Sequence, residues 1–220
     1  MSVVLVVVIS LSLILVAGCG TNTTNTNTTE KSISLNGLTK ESPIKVDKAA
    51  NTVTYLAQVN GKFLNEPTRH GSVYVGGSNG AKSIFTGLVD AEKFYNSLIE
   101  AGFQPGNNMT FDNMEKTNVA GDTFDVTVTW DKAPKVYKLD EVVKDSNGKP
   151  IVIRFGGNLK NAQDKKTGCL ICLDSCPVGI VSNSTYTYGA VEKRNEVGFI
   201  GNKEVLPPDG TPVAITFKKK

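Results

Sequence analysis

The chain has 220 residues, room for one generous domain or two small ones. Its 24 basic and 21 acidic side chains leave a net charge of +3, with no basic run except Lys218-Lys219-Lys220, which argues against a nucleic-acid-binding face. Charged residues at 20% and hydrophobics at 40% exclude wholesale disorder and a multi-span membrane protein, and the lone His70 excludes a multi-His zinc site.

Residues 3–17 are apolar apart from Ser10 and Ser12. The run is short for a membrane span, which needs about 20 residues, and fits the apolar region of a secretory signal. It ends in Val16-Ala17-Gly18-Cys19, which resembles the lipobox of bacterial lipoproteins. That resemblance implies a signal peptide over 1–18 and a diacylated Cys19 at the mature N-terminus, since two acyl chains give stable anchoring where one does not. Only the Met1 amino group is positive ahead of the run, and residues 1–19 hold no Arg, so export would thread an unfolded chain rather than use a twin-Arg route. Thr21 to Thr29 alternates Thr and Asn without an aliphatic residue, so residues 19–43 are expected to be the lipidated Cys and a disordered tether. Its flexible part would span roughly 27 Å.

The folded part is expected over 44–220. Thr52–Val59 is rich in β-branched residues and runs into Asn60-Gly61, a turn pair. Ser72–Val75 and Ser83–Phe85 read as two strands joined by the long turn Gly76-Gly77-Ser78-Asn79-Gly80. That turn and the following Ala81-Lys82-Ser83 nearly spell a phosphate-binding loop, but Ala81 replaces the second Gly and strand follows in place of helix, so no nucleotide site is expected. Asp90 can cap a helix with Phe94, Leu98 and Ala101 on one face and Gly102 as its stop. Thr123–Trp130 alternates, turning Phe124, Val126, Val128 and Trp130 to a core. Ile151–Phe155 follows the Asn147-Gly148 turn, and Val213–Phe217 is the last strand. One main helix among antiparallel-looking strands gives an α+β fold: a single domain, mainly antiparallel sheet packed on that helix, preceded by the N-terminal signal and lipid anchor.

Lys82–Phe85 with Phe94–Asn107, Asp145–Pro150 and Leu206–Val213 resemble the signature segments of YdjY-domain proteins, and together they span most of residues 52–217. The resemblance implies an exported bacterial protein with this α+β domain, in a family where some members are called ferredoxin-like for a Cys motif. Relatives carry His-Glu-Ser where this chain has Ala81-Lys82-Ser83, so no role of that His or Glu transfers.

The unusual chemistry lies in residues 169–177. Cys169, Cys172 and Cys176 are spaced C-x₂-C-x₃-C-P, similar to the trailing part of the bacterial ferredoxin run, with Lys166 where its first Cys would stand. Three thiolates leave one coordination position of an iron–sulfur cluster or a zinc ion to fill, with His70, Asp174, an external ligand or another chain as candidates. A disulfide is the competing reading for an exported chain, though loops this short would contribute only ~1.9–2.5 kcal/mol and three thiols cannot all pair. A redox dithiol at Cys169-Leu170-Ile171-Cys172 is another. Tyr186 and Tyr188 read as packing residues that could also shield the site. The sequence thus points to a lipid-anchored extracytoplasmic protein with a redox or metal centre on Cys169, Cys172, Cys176 and His70, serving a redox partner protein in electron transfer. The alternative is a non-enzymatic envelope binding or scaffold module with a disulfide in the same loop.

Overall fold

The protein is described here by a computed structural model that covers Met1 and residues 33–220. The expected signal over 1–18, Cys19 and most of the Asn/Thr-rich stretch lie outside the described residues. Residues at the end of that stretch are folded. β1 (Ser34–Leu35) and β2 (Leu38–Thr39) make a hairpin about Asn36-Gly37, both at positive φ as Asn-Gly adopts in tight hairpin turns. Leu38 buries itself against Leu56, Leu88 and Ala214 on the outer face of the main sheet.

The chain continues through β3 (Ile44–Asp47), β4 (Thr52–Val59), a 3₁₀ turn (Gly61–Leu64), β5 (His70–Tyr74), β6 (Phe85–Gly87), α1 (Ala91–Glu100) and β7 (Phe124–Trp130). Then come β8 (Tyr137–Lys138), α2 (Leu139–Val142), β9 (Val143–Asp145), β10 (Ile153–Phe155), α3 (Leu159–Lys165) and β11 (Cys169–Cys172). β12 (Val181–Asn183), β13 (Phe199–Gly201) and β14 (Pro212–Lys219) complete it. Strand β4 has the bounds expected of it. Asp90 caps α1 by accepting from the Lys93 N–H at 2.8 Å, and Gly102 ends it at φ +88°.

Ten strands form one sheet in the order β10-β12-β11-β5-β6-β4-β14-β7-β8, with β3 beside β4. The sheet curls into a half-barrel whose far strands approach each other through the Thr123–Arg154 bridge and the Phe155 N–H to Asp122 carbonyl bond of 2.9 Å. Seven of its nine strand pairings are antiparallel, as expected, and two are parallel: β5 with β6, and β11 with β12. The loop between β5 and β6 causes the first. It turns twice on itself (Gly77 N–H to Tyr74 O, Gly80 N–H to Gly77 O) and hangs on the carbonyls of Lys166 and Thr167, so the chain re-enters in its original direction.

Inside the curl, α1 lays Phe94 and Leu98 onto the sheet. Phe94 meets Tyr55 edge-on at 5.2 Å and Phe217 at 5.0 Å, joining the helix to β4 and β14. Phe124, Val126 and Val128 face this core, while Trp130 is half-buried and stacks on Tyr137. Among the described residues no helix is long and apolar enough to cross a membrane.

Phe94→Ala should lower the free energy of unfolding by about 3–5 kcal/mol. Phe111→Ala, at an exposed ring, should stay within about 0.5 kcal/mol of the parent; urea denaturation of both variants reads the contrast.

Candidate metal centre

The cysteine segment begins as a strand, not as the loop expected over 169–177. In a regular strand residues three apart point to opposite faces of the sheet, which would separate Cys169 from Cys172. Pairing with β5 prevents this: the register slips between Cys169 and Ile171 and again between Ile171 and Cys172. Such irregularities re-aim side chains. Cys169, Cys172 and Cys176 therefore gather with Val73 and Val178 in one buried cluster, which Tyr188 covers in part.

His70 joins them from β5, where it stands opposite Cys172. Its Nδ1 lies 3.7 Å from the Cys169 Sγ. The donor atoms of His70, Cys169 and Cys172 all lie within 4.8 Å of one another, and all three residues are buried. Cys176, buried at 2% exposure, stands beside Cys172 but outside this mutually close trio. All three cysteines are free thiols.

The following turn is held by side-chain amides and hydroxyls rather than by a ladder. Asn158 donates to the carbonyls of Cys176 and Gly179, Asn161 to that of Pro177, and Asn183 to that of Leu173. Ser175 Oγ accepts from the Val119 N–H and donates to the Asn183 carbonyl. Every residue from Gly168 to Asn183 is buried, so these bonds are what make an irregular interior segment affordable. Gly179 is required for room: a Cβ there would come 2.7 Å from the Cys172 sulfur. Ser182, opposite Cys172 in β12, has a buried hydroxyl with no partner among the described residues.

A buried ion pair flanks the cluster. Arg69 Nε and Nη2 both donate to Asp174 Oδ1, at 3.1 and 2.5 Å, and Asp174 Oδ2 accepts from the Gly189 N–H. The guanidinium stacks on the Tyr188 ring at 4.5 Å. Burial disfavours the Arg69 charge, yet the negative fields of Cys176, Asp174 and Cys172 outweigh it and raise the Arg69 pKa. Burial also pushes the Asp174 carboxyl up while Arg69 pulls it down. The fork contact with a guanidinium that does not deprotonate decides for an ionised pair. Asp174 is thereby committed, which removes it as the fourth ligand considered above.

The thiols are not equivalent. Polar contact with Cys172 holds Cys169 well below the ordinary thiol range against the opposing effect of burial, and His70 adds to it. The same partnership with Cys172 brings Cys176 to about 7, again against burial, with Arg69 helping. Cys172, between them and fully buried, is pushed well up by Cys169, Cys176 and desolvation. Three sulfurs and an imidazole gathered in a buried cluster form a donor set for thiophilic metals.

Of the residues singled out from sequence, His70, Cys169 and Cys172 come together, Cys176 adjoins Cys172, and Cys19 lies outside the described residues. Arg69, Gly179 and Ser182 had not been singled out as functional. Arg69 had one local signal, its place next to the only His. Tyr186 is a core residue whose hydroxyl donates to Asp145 at 2.8 Å, whereas Tyr188 reaches the site through Arg69.

The geometry defines an α+β half-barrel protein with a buried His/Cys cluster able to coordinate a metal. Residues 44–218 match the YdjY domain, and the chain belongs to that family. It is similar to the protein named "Uncharacterized protein YdjY" of Escherichia coli (strain K12), at 57% identity over 186 residues that cover 84% of this chain and 83% of that one. No solved structure matches.

Gly179→Ala should displace the Cys172 sulfur and destabilise the protein by about 1–3 kcal/mol through overpacking. Chemical denaturation checks it; a variant as stable as the parent would show that the sulfur has room to move.

Proposed function

We propose that the chain is an exported lipoprotein, anchored through Cys19 at the extracytoplasmic face of the cell membrane, whose cluster holds one thiophilic metal ion. The single observation that carries the metal reading is the mutual approach of the His70, Cys169 and Cys172 donor atoms within 4.8 Å in a buried setting. A tetrahedral ion about 2.3 Å from each sulfur holds its ligands roughly 3.8 Å apart, so the trio needs only a small inward adjustment. Cys176 is the fourth donor. A multi-iron cluster interposes iron and sulfide between its thiolates and needs them more widely spread, so the spacing favours a single ion, zinc or iron, over a cluster. The partnerless Ser182 hydroxyl beside Cys172 supports an occupant, because buried polar atoms rarely stay unpaired. Zinc would make the site structural, as closed sites without an open position are; iron would add one-electron exchange with a redox partner protein.

Support for the anchor comes from the apolar run ending at Val16-Ala17-Gly18-Cys19. A second reading, a redox dithiol in an envelope module, is favoured by the position of Cys172 between two thiolate-leaning neighbours.

Protein purified anaerobically under reducing conditions should carry about one zinc or iron per chain by elemental analysis, and His70→Gln and Cys172→Ser should each lose the ion. Metal-free protein with three titratable thiols sinks the metal reading, and a Cys–Cys cross-link in protein taken from its native membrane establishes the disulfide module instead. Separately, mass spectrometry of the membrane-extracted full chain should find a diacylglyceryl group on Cys19, and Cys19→Ser should move the protein to the soluble fraction. An unmodified Cys19 in membrane-extracted protein would overturn the anchor.

A further inference from the structure

Arg69 is built into the centre from two directions. Its main-chain carbonyl accepts from the Leu173 N–H at 2.8 Å, and its guanidinium grips Asp174 through two nitrogens. Both partners lie between Cys172 and Cys176 in the chain, and Arg69 itself immediately precedes His70. Asp174 is fully buried, Arg69 nearly so, and the Tyr188 ring closes the outer side of the guanidinium. Tyr188 is fixed in turn: its N–H donates to the Met114 carbonyl, and Arg194 donates to its own carbonyl at 2.8 Å. These contacts tie the strand that carries His70 to the turn that carries the last two sulfurs.

Stability alone is a poor account of this clamp. Buried ion pairs rarely stabilise a fold more than apolar residues of the same volume would, and their best-attested use is to fix one arrangement among several. The arrangement at stake here is that of Cys176. It lies outside the close trio; Asn158 fixes its main-chain carbonyl from the far side, and the turn Leu173–Ser175, which Asp174 anchors, links it to Cys172.

We propose that Arg69 is a positioning residue for the metal centre, holding the Cys172–Cys176 turn against β5 through Asp174 so that Cys176 stands as the fourth donor. This rests on the single-ion reading of the cluster. Arg69 touches no ion itself; it acts on where Cys176 can be, as outer partners of metal ligands do.

The test uses the full chain loaded with zinc for affinity and with cobalt(II) for its visible and near-ultraviolet spectrum. Arg69→Met combined with Asp174→Asn removes both charges and the fork while leaving an acceptor for the Gly189 N–H. This variant should keep a cooperative melt, bind zinc about 10–100-fold more weakly in chelator competition, and lose the share of sulfur-to-cobalt charge-transfer intensity due to one thiolate. Cys176→Ser should give the same reduced spectrum, and adding it to the double variant should change the spectrum no further. A folded double variant with the parent's affinity and spectrum overturns the proposal. Should the double variant not fold, Arg69→Lys, which keeps the charge but not the fork, is read against the same criteria. Loss of fold in both also overturns it, because the clamp would then support the domain rather than Cys176. A parent protein that takes up neither zinc nor cobalt removes the single-ion reading and this proposal with it, whereas a metal-binding parent with an unaffected double variant removes this proposal alone.

Discussion

The site exists because β11 does not keep register with β5. A regular four-residue strand would send the Cys169 and Cys172 side chains to opposite faces, and with it the distinction between one donor cluster and two isolated thiols would vanish. Two slips within Cys169–Cys172 put both sulfurs beside His70. Everything else near the site follows from accommodating that break in the interior, where unpaired main-chain groups are costly. Asn158, Asn161 and Asn183 supply the hydrogen bonds that the ladder no longer does, and Gly179 leaves the space that the Cys172 sulfur takes up.

The parts of this architecture that rest on local chemistry are legible in the sequence. Strand β4 is written in its β-branched run, α1 in its Asp cap, apolar spacing and terminal Gly, and β7 in strict alternation. What failed were relations between segments. The β5–β6 connection is full of turn residues, and turn residues announce a reversal without saying how many; two reversals make the pair parallel. Closely spaced Cys and Pro suggest a ligand loop, yet Leu170 and Ile171 are strand residues buried completely in the core. His70 could be suspected only by elimination, as the sole imidazole. Arg69 and Asp174 are 105 residues apart, and no local pattern pairs two opposite charges over such a distance.

Burial also narrows what the cluster can do. Hydrolytic metal sites keep a coordination position open to water or substrate. Here His70, Cys169, Cys172 and Cys176 are at most 4% exposed, packed against Val73 and Val178 on one side and the Arg69–Asp174 pair on another. A donor set so enclosed suits an ion that stays bound, or electrons and protons that need little space. The larger surface clefts lie elsewhere: one is lined by Tyr74, Asp90, Glu92 and Lys166, another by the divergence of β7 from the segment before β10. The first reaches the cluster's neighbourhood only at Gly168.

Neighbouring thiolates in a buried volume repel one another, and isolated ions in such a volume are expensive. Two sources of relief are built in. Cys172, pushed towards its protonated form, can donate its hydrogen to either neighbouring sulfur, and Arg69 adds a fixed positive charge nearby. Arg69 is matched by Asp174, however, so the pair as a whole contributes little net charge. Among the buried described residues only His70 is left to balance whatever charge protons on the sulfurs do not. A divalent ion within reach of His70, Cys169 and Cys172 would do so directly, displacing the Cys172 proton and drawing the sulfurs towards one point. Protons held on the sulfurs relieve the same repulsion without an ion; what the geometry adds is three donor atoms already within 4.8 Å of one another.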